Sequence, residues 1–287
     1  MTDHKQDDVT GIETTGHSWD GIEELNTPLP RWWLWTLYLT IIWGIGYSVA
    51  YPAWPMISGA TSGLLGWSTR ANVAQDIDAH AQKNAQLVAD LLGTDMAALP
   101  QDADLNRYAI ARGGAVFRAN CSQCHGSGAA GARGYPNLLD DDWLWGGAMA
   151  DIEYTVRHGI RNEQDADARY SQMPAFGAIL GKDDIAAVVE HVISLSASDF
   201  DAALAETGVE VFADNCSACH GAAGQGDRSQ GAPNIADAIW LYGSDRQALT
   251  QTVTNARFGV MPPWGGRLEE ADIRAVSAYV HSLGGGE

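Results

Sequence analysis

Two short runs of cysteine and histidine carry the strongest chemical signal in this chain. Cys-Ser-Gln-Cys-His occupies 121–125, and Cys-Ser-Ala-Cys-His occupies 216–220. Residues three apart share one face of a helical turn, so both thiols of a run can reach the two vinyl groups of one haem. The adjoining histidine, His125 or His220, then faces the iron. The sequence therefore predicts two covalently bound haems c. Their attachment residues are Cys121, Cys124, Cys216 and Cys219.

A Cys-x-x-Cys pair alone has two other uses, as a redox dithiol or as half of a zinc site. Here a histidine follows each pair directly, the run occurs twice, and the runs contain all four cysteines of the chain. These features favour haem attachment.

The second axial ligand decides what such a haem does. An iron bound only by histidine keeps an open site for gases or peroxide, whereas a histidine–methionine pair suits electron transfer at a raised potential. Met173-Pro174 and Met261-Pro262 stand at matching places behind the two runs, and each is followed by an aromatic residue. We predict that both methionines bind iron. No catalytic residue of the chain's own is predicted, because no other catalytic pattern stands out.

Residues around the haems have less specific patterns. The carbonyls of Pro136 and Pro233 are predicted to accept the Nδ1 hydrogen of the haem histidines. Trp143 and Trp240 are predicted to line the haem edges or to bond the propionates. Plain packing or a solvated surface would explain these residues equally well. Arg157, Arg161 and Arg257 are possible partners of the haem propionates, and plain packing or a solvated surface would explain them equally well.

The chain around these residues is an internal repeat, with units starting near Leu105 and Ala203. Each unit has a first helix before the cysteines, a Pro-Asn loop, the Met-Pro pair and a last helix with apolar residues on one face. Other histidines are not expected to bind iron. His191 aligns with Tyr279, and we expect it to pack on the first helix near Gly113.

An uncharged, apolar stretch at 32–51 is long enough to cross a bilayer, and tryptophan or tyrosine lies at each end. A cleaved signal peptide is the alternative, but 31 mostly acidic residues precede the stretch. We expect a disordered tail at 1–31, a transmembrane helix at 32–56, a linker with a helix at 57–104, and haem domains at 105–198 and 199–287. The fold class is therefore mainly α, with one amino-terminal transmembrane helix before two tandem repeats. With their first helix, Cys-x-x-Cys-His run, Met-Pro pair and last helix, these repeats resemble class I cytochrome c domains.

The net charge is −19, which argues against nucleic acid as a partner. An acidic surface can steer a basic protein partner instead, although it also serves solubility.

Beyond the haem domains, the order of tail, span and two domains is similar to the dihaem subunit of cbb3-type cytochrome c oxidases. The segments DGIEELNTPLPRWW at 20–33 and YPAWP at 51–55 carry this resemblance. It implies electron transfer from a donor cytochrome c to a monohaem cytochrome c subunit and a haem–copper catalytic subunit, beside a small accessory subunit. Oxygen reduction there is coupled to proton pumping. It also implies that the first haem uses His125 with Met173, and the second His220 with Met261.

The expected location is the bacterial inner membrane, crossed once. The tail would be cytoplasmic and the haem domains periplasmic, since haem attachment to such runs occurs outside the cytoplasm. Two alternatives stay open: a dihaem anchor of another respiratory or periplasmic dehydrogenase complex, and a dihaem peroxidase or gas sensor.

Overall fold

The computed structural model describes residues 5–286, so residues 1–4 of the expected tail and residue 287 of the second expected domain lie outside it. Residues 14–25 form an antiparallel hairpin, in which β1 (Thr14–Trp19) pairs with β2 (Ile22–Leu25). Asp20 and Gly21 make its two-residue turn, with φ angles of 51° and 85°, as this turn type requires. The prediction of a disordered tail is therefore wrong for these residues. The Asp20-Gly21 pair, which is typical of a two-residue hairpin turn, was the sequence signal for this hairpin.

The apolar stretch forms α1, Arg31–Ala50, and none of its side chains is buried. An 18-residue window within its 20 residues has a mean hydropathy of 1.3, so this helix is long and apolar enough to cross a membrane. The helix ends at Ala50, two residues before Pro52, because proline cannot continue a helix. A short strand pair comes next, β3 (Pro55–Met56) with β4 (Gly59–Ala60).

The helix expected in the linker is α2, Thr69–Gly93, which ends at Gly93 as predicted. The chain divides into two compact units at residue 83, inside this helix. We describe each unit separately.

The second unit is helical, and the two repeats contribute the same elements. Aspartates cap both first helices: Asp102 accepts hydrogen bonds from the backbone N–H groups of residues 104 and 105, and Asp201 from those of residues 203 and 204. The first repeat contains α3 (Ala103–Asn120), α4 (Ser122–His125), α5 (Met149–His158) and α6 (Lys182–Ser196). The second contains α7 (Ala202–Asn215), α8 (Ser217–His220), α9 (Arg246–Asn255) and α10 (Glu270–His281).

The repeats do not pack as separate domains, because their last helices are exchanged. Helix α3 of the first repeat packs on α10 of the second, and α7 packs on α6 of the first. Gly113 lies against the backbone of Ala275, and Gly208 against that of Ala187. His191 consequently packs on Phe212 of α7, with ring centroids 5.1 Å apart. Its expected place near Gly113 is wrong, because Tyr279 of α10 lies there.

Two apolar cores result, and each draws on both repeats. We call them the first half and the second half after the cysteine run that each contains. The first half joins Phe117, Ile152 and Val156 to Ile273, Val276 and Val280, with Cys121 at its edge. The second half joins Ile185, Val188, Val189 and Val192 to Phe212 and Leu249, with Cys216 at its edge. Each fully buried large apolar side chain contributes about 1.5–3 kcal/mol to stability. The contacts between residues of different repeats therefore stabilise each of the two cores.

A third cluster connects the end of α2 to the first half. Leu91, Met96 and Leu99 pack with Leu105 of α3 and with the alanines of α10. Arg274 of α10 adds hydrogen bonds to the backbone, including one to the Leu92 carbonyl at 2.6 Å.

Candidate haem centres

Each cysteine run is a single helical turn that follows directly from a long helix. The N–H of Cys121 donates to the Phe117 carbonyl at 2.8 Å, and the N–H of His125 donates to the Cys121 carbonyl at 3.0 Å. Gly126 ends the turn with a φ of 79°, a conformation that glycine adopts without strain. The second run has the same bonds, so the two thiols of each run point from one face.

Both haem histidines are oriented by the proline carbonyls that the sequence suggested. His125 Nδ1 lies 3.1 Å from the Pro136 oxygen, and His220 Nδ1 lies 3.0 Å from the Pro233 oxygen. A carbonyl only accepts, so Nδ1 carries the hydrogen and Nε2 keeps its lone pair for a metal. Burial lowers the pKa of both histidines, and the carbonyl bond opposes this only in part. Both rings are therefore suited to bind iron in the neutral form.

The thiols differ from those of a redox dithiol. Burial, together with the neighbouring thiol of the same run, raises the pKa of Cys121 and of Cys216 to about 11. Redox-active cysteines need a lowered pKa, because the thiolate is the reactive form. The structure thus agrees with thioether attachment.

Met261 and the turn that follows Met173 lie in the halves opposite to those we expected. Met261 packs in the first half, in the cluster that contains Cys121. Its backbone N–H and carbonyl form two bonds with Ile160, each 3.0 Å long. The expected pairing of His220 with Met261 is therefore wrong, because the exchange carries the second Met-Pro loop to the first half.

The Met173 loop enters the second half. Pro174 leads into a 3₁₀ turn at Phe176–Ala178, and this turn packs on α9 and α6. Gly177 lies against Thr254 of α9. The turn that follows Met173-Pro174 therefore packs in the half that contains Cys216, and not in the half that contains His125.

The tryptophans and arginines that were predicted to contact the haems differ in the partners they already have within the protein. Trp143 donates its indole N–H to the Gly285 carbonyl, and Trp240 packs against the second half. Arg157 is paired with Glu153 and Glu270, so its charge is already compensated. The structure therefore does not support Arg157 as a propionate partner.

Two buried donors that the sequence analysis missed fit a haem carboxylate better. Trp145 Nε1 and Arg169 Nε have no hydrogen-bond partner among residues 5–286. The Arg169 guanidinium stands 5.5 Å from the Trp145 ring and donates to the Trp145 carbonyl at 2.8 Å. The charge of Arg169 is compensated by Asp151 at 2.9 Å, as that of Arg157 is by its glutamates. Buried N–H groups without acceptors are costly, however, so the two unsatisfied N–H groups suit a carboxylate oxygen. The matched Ala-Arg pairs at 168–169 and 256–257 were the signal that could have identified Arg169.

The haem group itself thus fits the residues present. Each half offers two thiols, an oriented histidine and a methionine loop. The unsatisfied donors Trp145 and Arg169 lie beside α5 and, through Trp145, against Gly231 of the second repeat. Among the described residues, a small group of His158, Asp165 and Asp167 is the other place where metal-binding atoms converge. In that group His158 and Asp165 are hydrogen-bonded to each other at 3.0 Å.

Known proteins match this chain over almost its whole length. The family described as the N-terminal domain of cytochrome oxidase-cbb3, FixP, matches residues 11–58. The family described as cytochrome C oxidase, cbb3-type, subunit III matches 109–192 and 203–280. The second family therefore covers one cytochrome domain in each repeat, in tandem.

Curated relatives agree with these families. The cbb3-type cytochrome c oxidase subunit CcoP of Cereibacter sphaeroides is 62% identical over 276 residues, covering 96% of this chain and 95% of the relative. The subunit FixP of Sinorhizobium medicae is 48% identical, covering 99% of each protein. The FixP of Azorhizobium caulinodans is 50% identical, covering 98% of this chain and 96% of the relative. This chain therefore belongs to the CcoP/FixP family of cbb3-type cytochrome c oxidase subunits, whose cytochrome domains bind c-type haem for electron transport.

Proposed function

We propose that the chain is a membrane-anchored relay with two covalently bound haems c. It takes electrons from a donor cytochrome c and passes them to the monohaem cytochrome c subunit and the haem–copper catalytic subunit of its oxidase. Oxygen reduction and proton pumping then occur in the complex as a whole. A small accessory subunit completes the set of partners.

The observation that carries this proposal is the pair of equivalent half-sites. In each, one turn holds two thiols and a histidine whose Nδ1 is bound to a carbonyl, with a Met-Pro loop from the other repeat. We assign His125 with Met261 to the first haem, and His220 with Met173 to the second. The haems would supply reversible one-electron transfer, which a histidine–methionine pair favours at a raised potential.

The protein's own residues hold and tune these centres. The proline carbonyls fix the histidine rings, and the apolar cores beside Cys121 and Cys216 would shield a bound haem from water. The unsatisfied N–H groups of Trp145 and Arg169 would donate to a haem propionate. Trp143 and Trp240 form part of the walls of the two halves.

The proposed topology follows from α1. One span would leave residues 1–31 in the cytoplasm and the haem repeats in the periplasm, where haem is attached. The net charge of −19 favours a basic donor protein.

Extraction of the native complex in mild detergent tests this function. We expect the chain to co-purify with a copper-containing oxidase and to carry two haems c, counted spectroscopically against protein. A chain that is isolated without the oxidase, or with one haem, would contradict the proposal. Protease treatment of sealed spheroplasts checks the orientation, since the haem repeats should be cleaved from outside.

A further inference from the structure

Arg161 contacts the Met-Pro loops of both repeats. Its Nε donates to the Gly259 carbonyl at 2.7 Å, and its Nη1 donates to the Ser171 carbonyl at 3.0 Å. Gly259 lies two residues before Met261, and Ser171 lies two residues before Met173. One guanidinium therefore joins the segments that lead to the two methionines.

These two carbonyls are equivalent in the repeat. The segment Ala-Arg-Tyr-Ser-Gln-Met at 168–173 matches Ala-Arg-Phe-Gly-Val-Met at 256–261. Residues 171 and 259 occupy the same position in this match. The rigid fork of a guanidinium can bind two acceptors at once, and here it binds the same carbonyl of each copy.

Arg161 itself has no counterpart in the second repeat. Residues 155–158 match 252–255, and 168 matches 256, so the segment 159–167 is an insertion in the first repeat. Arg161 by itself thus contacts the two equivalent loops. The pair of contacts depends on the exchange of the last helices, which brings the two loops together.

The backbone at Arg161 is held in a costly conformation. Its φ is 50°, in the left-handed region that non-glycine residues rarely adopt. The neighbouring bonds enforce it: the Arg161 N–H donates to the Arg169 carbonyl at 2.8 Å, while Ile160 pairs with Met261. Such strain persists only where surrounding contacts determine it, so the side chain is delivered to a fixed place.

The positive charge of Arg161 is not used in an ion pair with any described carboxylate. Its two acceptors are carbonyls, and the side chain is partly buried. Arginine stays protonated in proteins. The charge therefore remains available to act on its surroundings.

We propose that Arg161 is a positioning residue that holds the Met173 and Met261 loops together, so that one side chain steadies both axial ligands and its charge favours the reduced state of both haems. This inference rests on the ligand assignment of the proposed function. Losing the guanidinium would leave two partly buried carbonyls without their donor and loosen both loops. Each methionine would then leave its iron more readily.

The test uses the full chain with its haems, purified in detergent. Arg161→Gln removes the charge and the fork, and Arg161→Lys keeps only the charge. Arg257→Gln is the matched control, because its guanidinium bonds to Ala248 and Thr252 within α9. The readouts are cyanide binding to the oxidised chain, the charge-transfer band of methionine-bound ferric haem, and both potentials from a spectroelectrochemical titration.

Arg161→Gln is expected to tighten cyanide binding about tenfold at both haems, the effect of losing a hydrogen bond from a charged donor, and to lower both potentials. Arg161→Lys should keep both potentials near those of the unaltered chain but retain the tighter cyanide binding. Arg257→Gln should alter the second haem alone. Effects of Arg161→Gln at one haem or at neither, or full recovery of cyanide binding in Arg161→Lys, would overturn the inference. An unaltered chain without two methionine-bound haems would instead overturn the proposed function.

Discussion

Gly113 of α3 packs directly on the backbone of Ala275 in α10, and no Cβ atom fits between them. Gly208 makes the same contact with Ala187, so each first helix rests on the last helix of the other repeat. The absence of a side chain lets the helices cross closely and brings Phe117 and Phe212 into the cores.

Alanine at either glycine should weaken the crossing. In Gly113→Ala the new methyl group meets a carbonyl that is fixed in a helix, so the helices must separate. We expect a loss of about 1–3 kcal/mol in the free energy of unfolding, measured by chemical denaturation of the haem-loaded chain. Gly128→Ala is the control, because nothing lies within 4 Å of a Cβ there. Equal stability of the two variants would contradict the tight crossing.

The exchange makes a separate prediction about ligands. In a chain with Cys216→Ala and Cys219→Ala, only the first haem is attached, and His125 with Met261 should bind it. Adding Met261→Ala should abolish the methionine–iron charge-transfer band, because the packing brings Met261 to the Cys121 half. Met173→Ala is the control and should leave the band in place. The reverse result would restore the pairing of each methionine with the histidine of its own repeat.

Asp142 should make stability depend on pH. Burial, with Asp237 and Asp140 nearby, raises the pKa of Asp142 to about 6, above the ordinary value of 3.8. Because the folded state favours the protonated acid, its contribution to stability is full below pH 4 and is lost as the pH rises through 6.

Asp142→Asn should therefore raise the melting temperature at pH 8, and the gain should shrink as the pH falls towards 4. Thermal unfolding across this range measures it. Asp78→Asn on α2 removes the same charge at an exposed position and serves as the control. A gain that stays constant with pH would show that Asp142 does not titrate in this window.

The acidic character of the chain predicts salt-sensitive electron entry. With a net charge of −19, the encounter with a basic cytochrome c should be steered by attraction and screened by salt. The second-order rate of haem reduction, followed by stopped flow, should fall as sodium chloride increases. An acidic cytochrome c should show no such fall. Equal salt dependence for both donors would argue against steering.

Local features of the sequence were sufficient for much of the site. The cysteine runs and their histidines lie within one helical turn, so their spacing alone predicts the attachment geometry. The carbonyls of Pro136 and Pro233 were also predicted, and both contact the expected Nδ1 atoms. The hairpin at 14–25 also depends on neighbouring residues alone, because its turn is formed by the Asp20-Gly21 pair.

The haem runs, the two methionine loops, the apolar span and the repeated helices could all be predicted from the residues, because each depends on residues close together in the chain. The proposed pairing of each methionine with a histidine rests instead on long-range packing. The two repeats present the same glycine-on-backbone crossing, so a last helix can satisfy either first helix, and no local pattern distinguishes them. The same packing brings Arg161 to equivalent carbonyls of both repeats, a contact between distant segments that spacing along the chain does not contain.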